Sequence, residues 1–218
     1  MTQWDKIYLN YNKGGDAYAT LSEGLHKDFL DLIKKSKFDA KYAFDIGCGT
    51  GKYLKYLKHK GFLTDGIDNS PTAVKMTKSV LDKSSIIKKV DMFKYNIPKK
   101  YDLIISISTI HHGCKSEIKK IINQIHNVLL PRGKIYITLP SYEKGVTIIN
   151  GKKIVSIARG TEIDTKEVRR GTFIPLSGNE KGLPHSYFTK KEIENLFSKF
   201  KNTNIKLKEG KYLIIGEK

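Results

Sequence analysis

The chain has 218 residues, 39% of them apolar, a size and composition that fit one α/β unit with a sizeable core and a modest insertion, and exclude a disordered or fibrous chain. The longest apolar run, Leu103 to Ile110, is far shorter than the roughly 20 residues that cross a bilayer; with a polar N-terminus and two cysteines in no disulfide or zinc-knuckle spacing, a cytoplasmic protein without membrane association is expected. The net charge of +18 comes from 40 Lys+Arg against 22 Asp+Glu, but only Arg132, Arg159, Arg169 and Arg170 are arginines and the 36 lysines are scattered, the distribution of a solvated surface more than of a phosphate-binding face.

In chain order, the N-terminal stretch carries Trp4, Tyr8, Tyr11 and Tyr18, aromatics that could cap a ligand or pack on a sheet, and a helix is predicted around Leu21–Ile33. From Lys41 to Pro140, strands predicted near Tyr42–Ile46, Phe62–Ile67, Ile86–Val90, Leu103–Ser108 and Lys134–Leu139 alternate with helical stretches, the pattern of a parallel doubly wound sheet. Ile118, Ile121, Ile122, Ile125, Val128 and Leu129 recur at helical spacing before Pro131 and Gly133, predicting a covering helix. The segment Ser141–Tyr187 fits neither period, and Val146–Ile149, Asn150-Gly151 and Ile154–Ile157 predict a β-hairpin followed by an irregular loop. Thr189 and Glu192 then form a capping-box pattern ahead of Ile193, Leu196, Phe197 and Phe200. Asn204–Lys208 and Tyr212–Gly216 flank a Glu209-Gly210 turn and predict an antiparallel hairpin at a sheet edge.

The chemistry concentrates where the first strand ends. Asp45-Ile46-Gly47-Cys48-Gly49-Thr50-Gly51-Lys52 puts three glycines between a strand and a helix, where a ligand can lie against the main chain and N–H groups at the helix start can receive an anion. Lys52 stands where a dinucleotide fingerprint needs its third glycine, which disfavours a nicotinamide dehydrogenase. Twenty-one residues beyond Gly47, Asp68 closes the second strand, where a carboxylate can accept hydrogen bonds from both hydroxyls of a ribose. Asp91, after the third strand, supplies a second acid where an adenine amino group could be read.

These residues resemble motif I, the ribose-binding acid and the adenine-binding position of the class I, Rossmann-like S-adenosylmethionine-dependent methyltransferases, strongly over Lys41–Pro140. The resemblance implies a doubly wound, seven-stranded, mostly parallel α/β sheet with a C-terminal antiparallel hairpin, in one domain over 1–218: an N-terminal cap at 1–40, a cofactor-binding core at 41–140, an insertion or acceptor lid at 141–187, and a final helix and hairpin at 188–218. It implies S-adenosylmethionine as cofactor, with Gly47, Cys48, Gly49 and Gly51 around its methionine portion and Asp45 supporting the loop or the amino group. Asp68 and Asn69 would hold the ribose, Asp91 and Met92 would lie at the adenine, and Ser108 would lie on the floor below the sulfonium.

The fourth strand runs into His111-His112, beside the transferable methyl. One imidazole could take a proton from an attacking group, or the pair could pack and cap the next helix. The run His111-His112-Gly113-Cys114 matches no common zinc spacing, so no metal is expected. Arg159, Arg169 and Arg170 fall in the insertion and suggest recognition of an anion, with His185 and Tyr187 as further acceptor contacts. The expected acceptor is a small anionic molecule. The runs Gly47–Leu54 and Ile105–His112 also resemble tRNA wobble-uridine methyltransferases, although Leu183-Pro184 replaces the basic residue that family carries there; tRNA is therefore the alternative acceptor, and a non-catalytic S-adenosylmethionine-binding protein the alternative class.

Overall fold

The computed structural model describes residues 2–9, 24–149, 152–156 and 162–218. Tyr11, Tyr18, Arg159 and the Asn150-Gly151 turn lie outside them. A seven-stranded sheet forms from β1 (Tyr42–Ile46), β2 (Leu63–Asp68), β3 (Ile86–Lys89), β4 (Tyr101–Ser106), β5 (Leu129–Pro140), β11 (Lys201–Lys208) and β12 (Lys211–Glu217), in the order β11-β12-β5-β4-β1-β2-β3. The first five are parallel, and β12 pairs antiparallel with both β5 and β11. The predicted edge hairpin is therefore present.

The central strands carry near-continuous apolar runs because helices cover both faces. All six residues of β4 are buried. On one face α5 (Lys115–Val128) buries Ile118, Ile121, Ile122 and Ile125, the stripe its 3.6-residue period predicts. The other face holds Phe29, Leu32 and Ile33 of α2 (Lys27–Lys35) with Tyr53 and Leu57 of α3 (Lys52–His59). The helix predicted to begin at Leu21 is described only from Lys27. Near the chain start, α1 (Gln3–Leu9) docks on α4 (Pro71–Val80): buried Asp5 accepts hydrogen bonds from Ser70 Oγ at 2.9 Å and Thr72 N at 3.1 Å.

The insertion is more regular than its sequence suggests. Five antiparallel strands, β6 (Val146–Ile149), β7 (Lys152–Ser156), β8 (Glu162–Arg169), β9 (Thr172–Pro175) and β10 (His185–Ser186), form a second sheet in the order β10-β9-β8-β7-β6. The irregular loop expected after the hairpin is thus strand for much of its length. Charge hides the signal in β8, where Glu, Asp, Lys and Arg interrupt the apolar alternation, and among the described residues the buried cluster under the sheet is Val155, Phe173 and Tyr187. Backbone pairing carries the rest.

Candidate active site

The strand order reverses between β1 and β4, and ligands of open α/β sheets sit beyond the carboxyl ends of the strands at such a point. A cleft of about 890 Å³ opens there, lined by the ends of β1 to β5, by α1 and by the insertion.

Its floor is the glycine loop. Gly47 N and Cys48 N both donate to Ile67 O, at 2.8 and 2.9 Å, tying the loop to the end of β2. Gly47 and Gly49 have φ of +80° and +56°, conformations that favour glycine. A Cβ on Gly47 would lie 2.1 Å from Thr109 Cγ2, and one on Gly49 would lie 2.8 Å from Tyr8 Oη, so the loop is clamped between the end of β4 and α1. Gly51, by contrast, is not among the residues lining the cleft; it caps α3 and abuts Thr77 and Val80 of α4.

Asp68 faces this loop. Its Oδ2 accepts from Gly49 N at 3.0 Å and its Oδ1 from Ser70 N at 2.9 Å, and the Asn69 N–H also bonds to the carboxylate, which leaves acceptor capacity for a ribose hydroxyl. The side chain is buried, and desolvation outweighs the backbone N–H bonds, raising its pKa above the ordinary carboxylate value. Asp45, one strand away, is pushed well above that value, chiefly by burial and then by the Asp68 carboxylate. Asn69, Asp91, Met92, Cys48 and Ser108 also line the cleft. The loop cradle and the buried carboxylate with spare acceptor capacity fit an adenosyl ligand.

The sign of the Asp45 effect gives a testable consequence. A carboxyl whose folded pKa is raised contributes stability below its unfolded pKa and loses it as pH rises through the folded value. Asp45→Asn should therefore raise the thermal midpoint of the ligand-free protein at pH 8 by about 2–4 °C, the shift for roughly 1 kcal/mol in a chain of this size, and should change it little at pH 4. Equal midpoints at pH 8 would show that Asp45 is not held against its charge.

Beyond β4, three histidines meet. His111 and His112 have ring centroids 3.9 Å apart, and His185 of β10 comes within 4.6 Å of His112 and 5.7 Å of His111. Trp4 closes on His112 at 4.5 Å. Burial above all, with the neighbouring histidines and Lys211, holds His111 and His112 well below the ordinary imidazole pKa. Burial draws His185 down to about 4 and pushes neighbouring Glu180 up to about 7. An added proton is thus disfavoured on either member of the pair, which opposes the general-base role their sequence position suggests. Cys114 points elsewhere, its Sγ 3.0 Å from Ser116 Oγ.

The insertion reaches the cleft through Glu180, Leu183, His185 and Tyr187. Ser186 fastens it there: its N donates to His111 O at 2.9 Å and its Oγ to Gly113 O at 2.7 Å. Arg169 and Arg170 sit exposed at the β8–β9 turn and are not among the lining residues, while Arg159 lies outside the described residues. The lining cations are lysines, among them Lys144 at the rim and Lys211, whose Nζ is 2.9 Å from Ser108 Oγ. Sequence reasoning missed Glu180, Lys211 and Asp5, and it did not join His185 to the His pair, because 73 residues separate His185 from His112 and only β10 brings them together.

The sequence of residues 44–137 matches the methyltransferase domain family. A putative methyltransferase of Invertebrate iridescent virus 6 is 30% identical over 144 residues, 65% of this chain and 51% of that protein, so the chain spans about half the length of this relative. A malonyl-[acyl-carrier protein] O-methyltransferase of Ilyobacter polytropus is 31% identical over 112 residues, covering 48% of this chain and 42% of its own length. Among solved structures, an amino pentose methyltransferase of Micromonospora echinaspora with S-adenosylmethionine bound superposes with a TM-score of 0.61 at 16% identity, over 92% of this chain and 94% of that one.

Proposed function

We propose that this chain, a class I S-adenosylmethionine-dependent methyltransferase by its domain and fold, transfers the methyl group to a small anionic acceptor. The observation that carries the reading is the buried Asp68 carboxylate, bonded to the glycine loop in a cleft that the insertion also lines. When bound, the cofactor supplies an electrophilic methyl on a sulfonium. Asp68 would hold the ribose diol, the Gly47–Gly49 backbone would admit the methionine portion, and Asp45 would meet the amino group. Trp4, Tyr8 and Tyr187 exclude water around them. Methyl transfer from a sulfonium depends above all on holding the attacking atom in line, and the β4 end with the insertion supplies that wall.

Two features support a small, anionic acceptor. The cleft has the dimensions of a site for small molecules, and the lysines that line it, Lys27, Lys52, Lys144, Lys208 and Lys211, suit an anion. The Ilyobacter relative bears the name of an O-methyltransferase acting on malonyl-[acyl-carrier protein], and the Micromonospora structure is that of an amino pentose methyltransferase. Incubation with methyl-labelled cofactor and fractionated metabolites should label a small product and release S-adenosylhomocysteine. Lys144→Ala should raise the acceptor KM by about 3- to 10-fold, the loss of one partly exposed charge-assisted hydrogen bond, and leave cofactor affinity unchanged. Efficient methylation of bulk tRNA, with a salt dependence equivalent to several phosphates, would put an RNA acceptor in its place.

A further inference from the structure

Three imidazoles from distant parts of the chain converge beside the cleft, and each has a buried ring nitrogen without a hydrogen-bond partner. One ring nitrogen from each of His111, His112 and His185 lies within 4.8 Å of the others. His111 Nδ1 and His112 Nδ1 have no hydrogen-bond partner. His185 Nε2 faces Glu180 Oε2 at 3.0 Å, a contact that is a hydrogen bond only while the pair holds a proton between them. Buried polar atoms are nearly always satisfied, so unsatisfied nitrogens on three clustered histidines call for a missing partner.

We propose that His111, His112 and His185, with Glu180 as an additional oxygen donor, form a binding site for a divalent first-row transition ion of the zinc or cobalt kind. Neutral imidazole is the ligating form of histidine, and a set of three imidazoles and one carboxylate selects such ions over magnesium or calcium. Tetrahedral metal–nitrogen bonds of roughly 2.0–2.1 Å put two ligand nitrogens about 3.4 Å apart, so closure from separations of up to 4.8 Å needs a contraction of up to about 1.4 Å, within reach of side-chain rotation. The outer layer is also present. His112 makes a hydrogen bond to the Pro184 carbonyl, which fixes its tautomer and leaves Nδ1 as the donor atom, as ligating histidines commonly do. The Ser186 bonds to His111 O and Gly113 O hold β10, and with it His185, against the His pair, and Trp4 covers one side. Because the ion would share the cleft, it would bind an oxyanionic group of the acceptor; that role rests on the methyltransferase reading, whereas the site itself does not.

The test uses the tag-free full chain, stripped of metal by a chelator and titrated with Co(II) and then Zn(II) in the absence of any adenosyl ligand. One Co(II) per chain should bind with a visible d–d absorption band that Zn(II) abolishes. His112→Ala and His185→Ala should each weaken Zn(II) binding at least about 100-fold, since each removes one ligand of the set, and His185→Gln replaces His185→Ala where the latter fails to fold. Absence of stoichiometric binding of either ion overturns the proposal, as does binding of equal strength in wild type and folded variants. S-adenosylhomocysteine affinity of the metal-free protein is measured separately. Its loss with metal binding intact would overturn the methyltransferase reading and leave the metal site standing, whereas its retention without metal binding would overturn the site alone.

Discussion

Gly47→Ala is expected to abolish measurable S-adenosylmethionine binding and to destabilise the protein by about 3 kcal/mol, the sum of a left-handed backbone cost of roughly 1–2 kcal/mol and an overpacking cost of similar size. Gly47 has φ +80°, and its new Cβ would overlap Thr109 Cγ2 at 2.1 Å, Oγ1 at 2.5 Å and Cβ at 2.7 Å. Neither neighbour can yield freely. Gly47 N is bonded to Ile67 O, and Thr109 Oγ1 donates to Ile107 O at 3.1 Å. Relief must therefore come from separating the glycine loop from the end of β4, which pulls apart the floor of the cleft. Adding Thr109→Ala removes the two nearest atoms and leaves the third, so the double variant should recover part of the stability and little of the binding. Thermal denaturation and calorimetry check both, and a Gly47→Ala protein with wild-type midpoint and affinity would mean that the loop is not clamped as described.

Asp68→Ala should weaken S-adenosylmethionine binding by about 2–3 kcal/mol, roughly 30- to 150-fold, because charge-assisted hydrogen bonds in a buried site are among the strong ones. The loss has two sources. A ribose diol would lose its acceptor, and Gly49 N and Ser70 N would lose the carboxylate that orders the loop and the start of α4. Asp68→Asn keeps one acceptor oxygen and should fall between wild type and Asp68→Ala. Removing the Asp68 charge also relieves the neighbouring Asp45 carboxyl, so ligand-free stability should fall less than affinity does. An unchanged dissociation constant would take Asp68 out of the site.

The parallel core was legible because each of its signals is local: apolar runs for strands buried on both faces, a 3.6-residue stripe on α5, and glycines where φ is positive. The β2 boundary shifted by one residue, from Phe62–Ile67 to Leu63–Asp68, because pairing of Asp68 with Lys89 extends the strand to the acid itself. That Gly47, Asp68 and Asp91 share one cleft was equally readable, since Gly47 and Asp91 follow a strand, Asp68 ends one, and the topology carries strand ends to one edge. The insertion side was not. Its strands have a small core among the described residues and strongly charged exteriors, and its informative residues are joined only by folding: His185, with Glu180 beside it, reaches the His pair, and Lys211 arrives from the first residue of β12. Three arginines in one segment drew attention by composition, yet both described ones face solvent at a turn.

The Ser186 seam has a consequence for how such a protein changes over time. The proposed adenosyl cradle sits at the ends of β1 to β3, whereas the insertion's part of the cleft comes from His185 of β10 and the segments flanking a separate antiparallel sheet. No described residue of β6 to β9 lines the cleft, so substitutions along these strands act on that part only through the packing behind it. At β10 this independence ends, where the bonds to His111 O and Gly113 O make the two sheets share one short joint. Drift in acceptor preference should accumulate away from that joint, and a recombined protein carrying a foreign insertion should work only when the crossover retains a residue at position 186 able to donate both bonds.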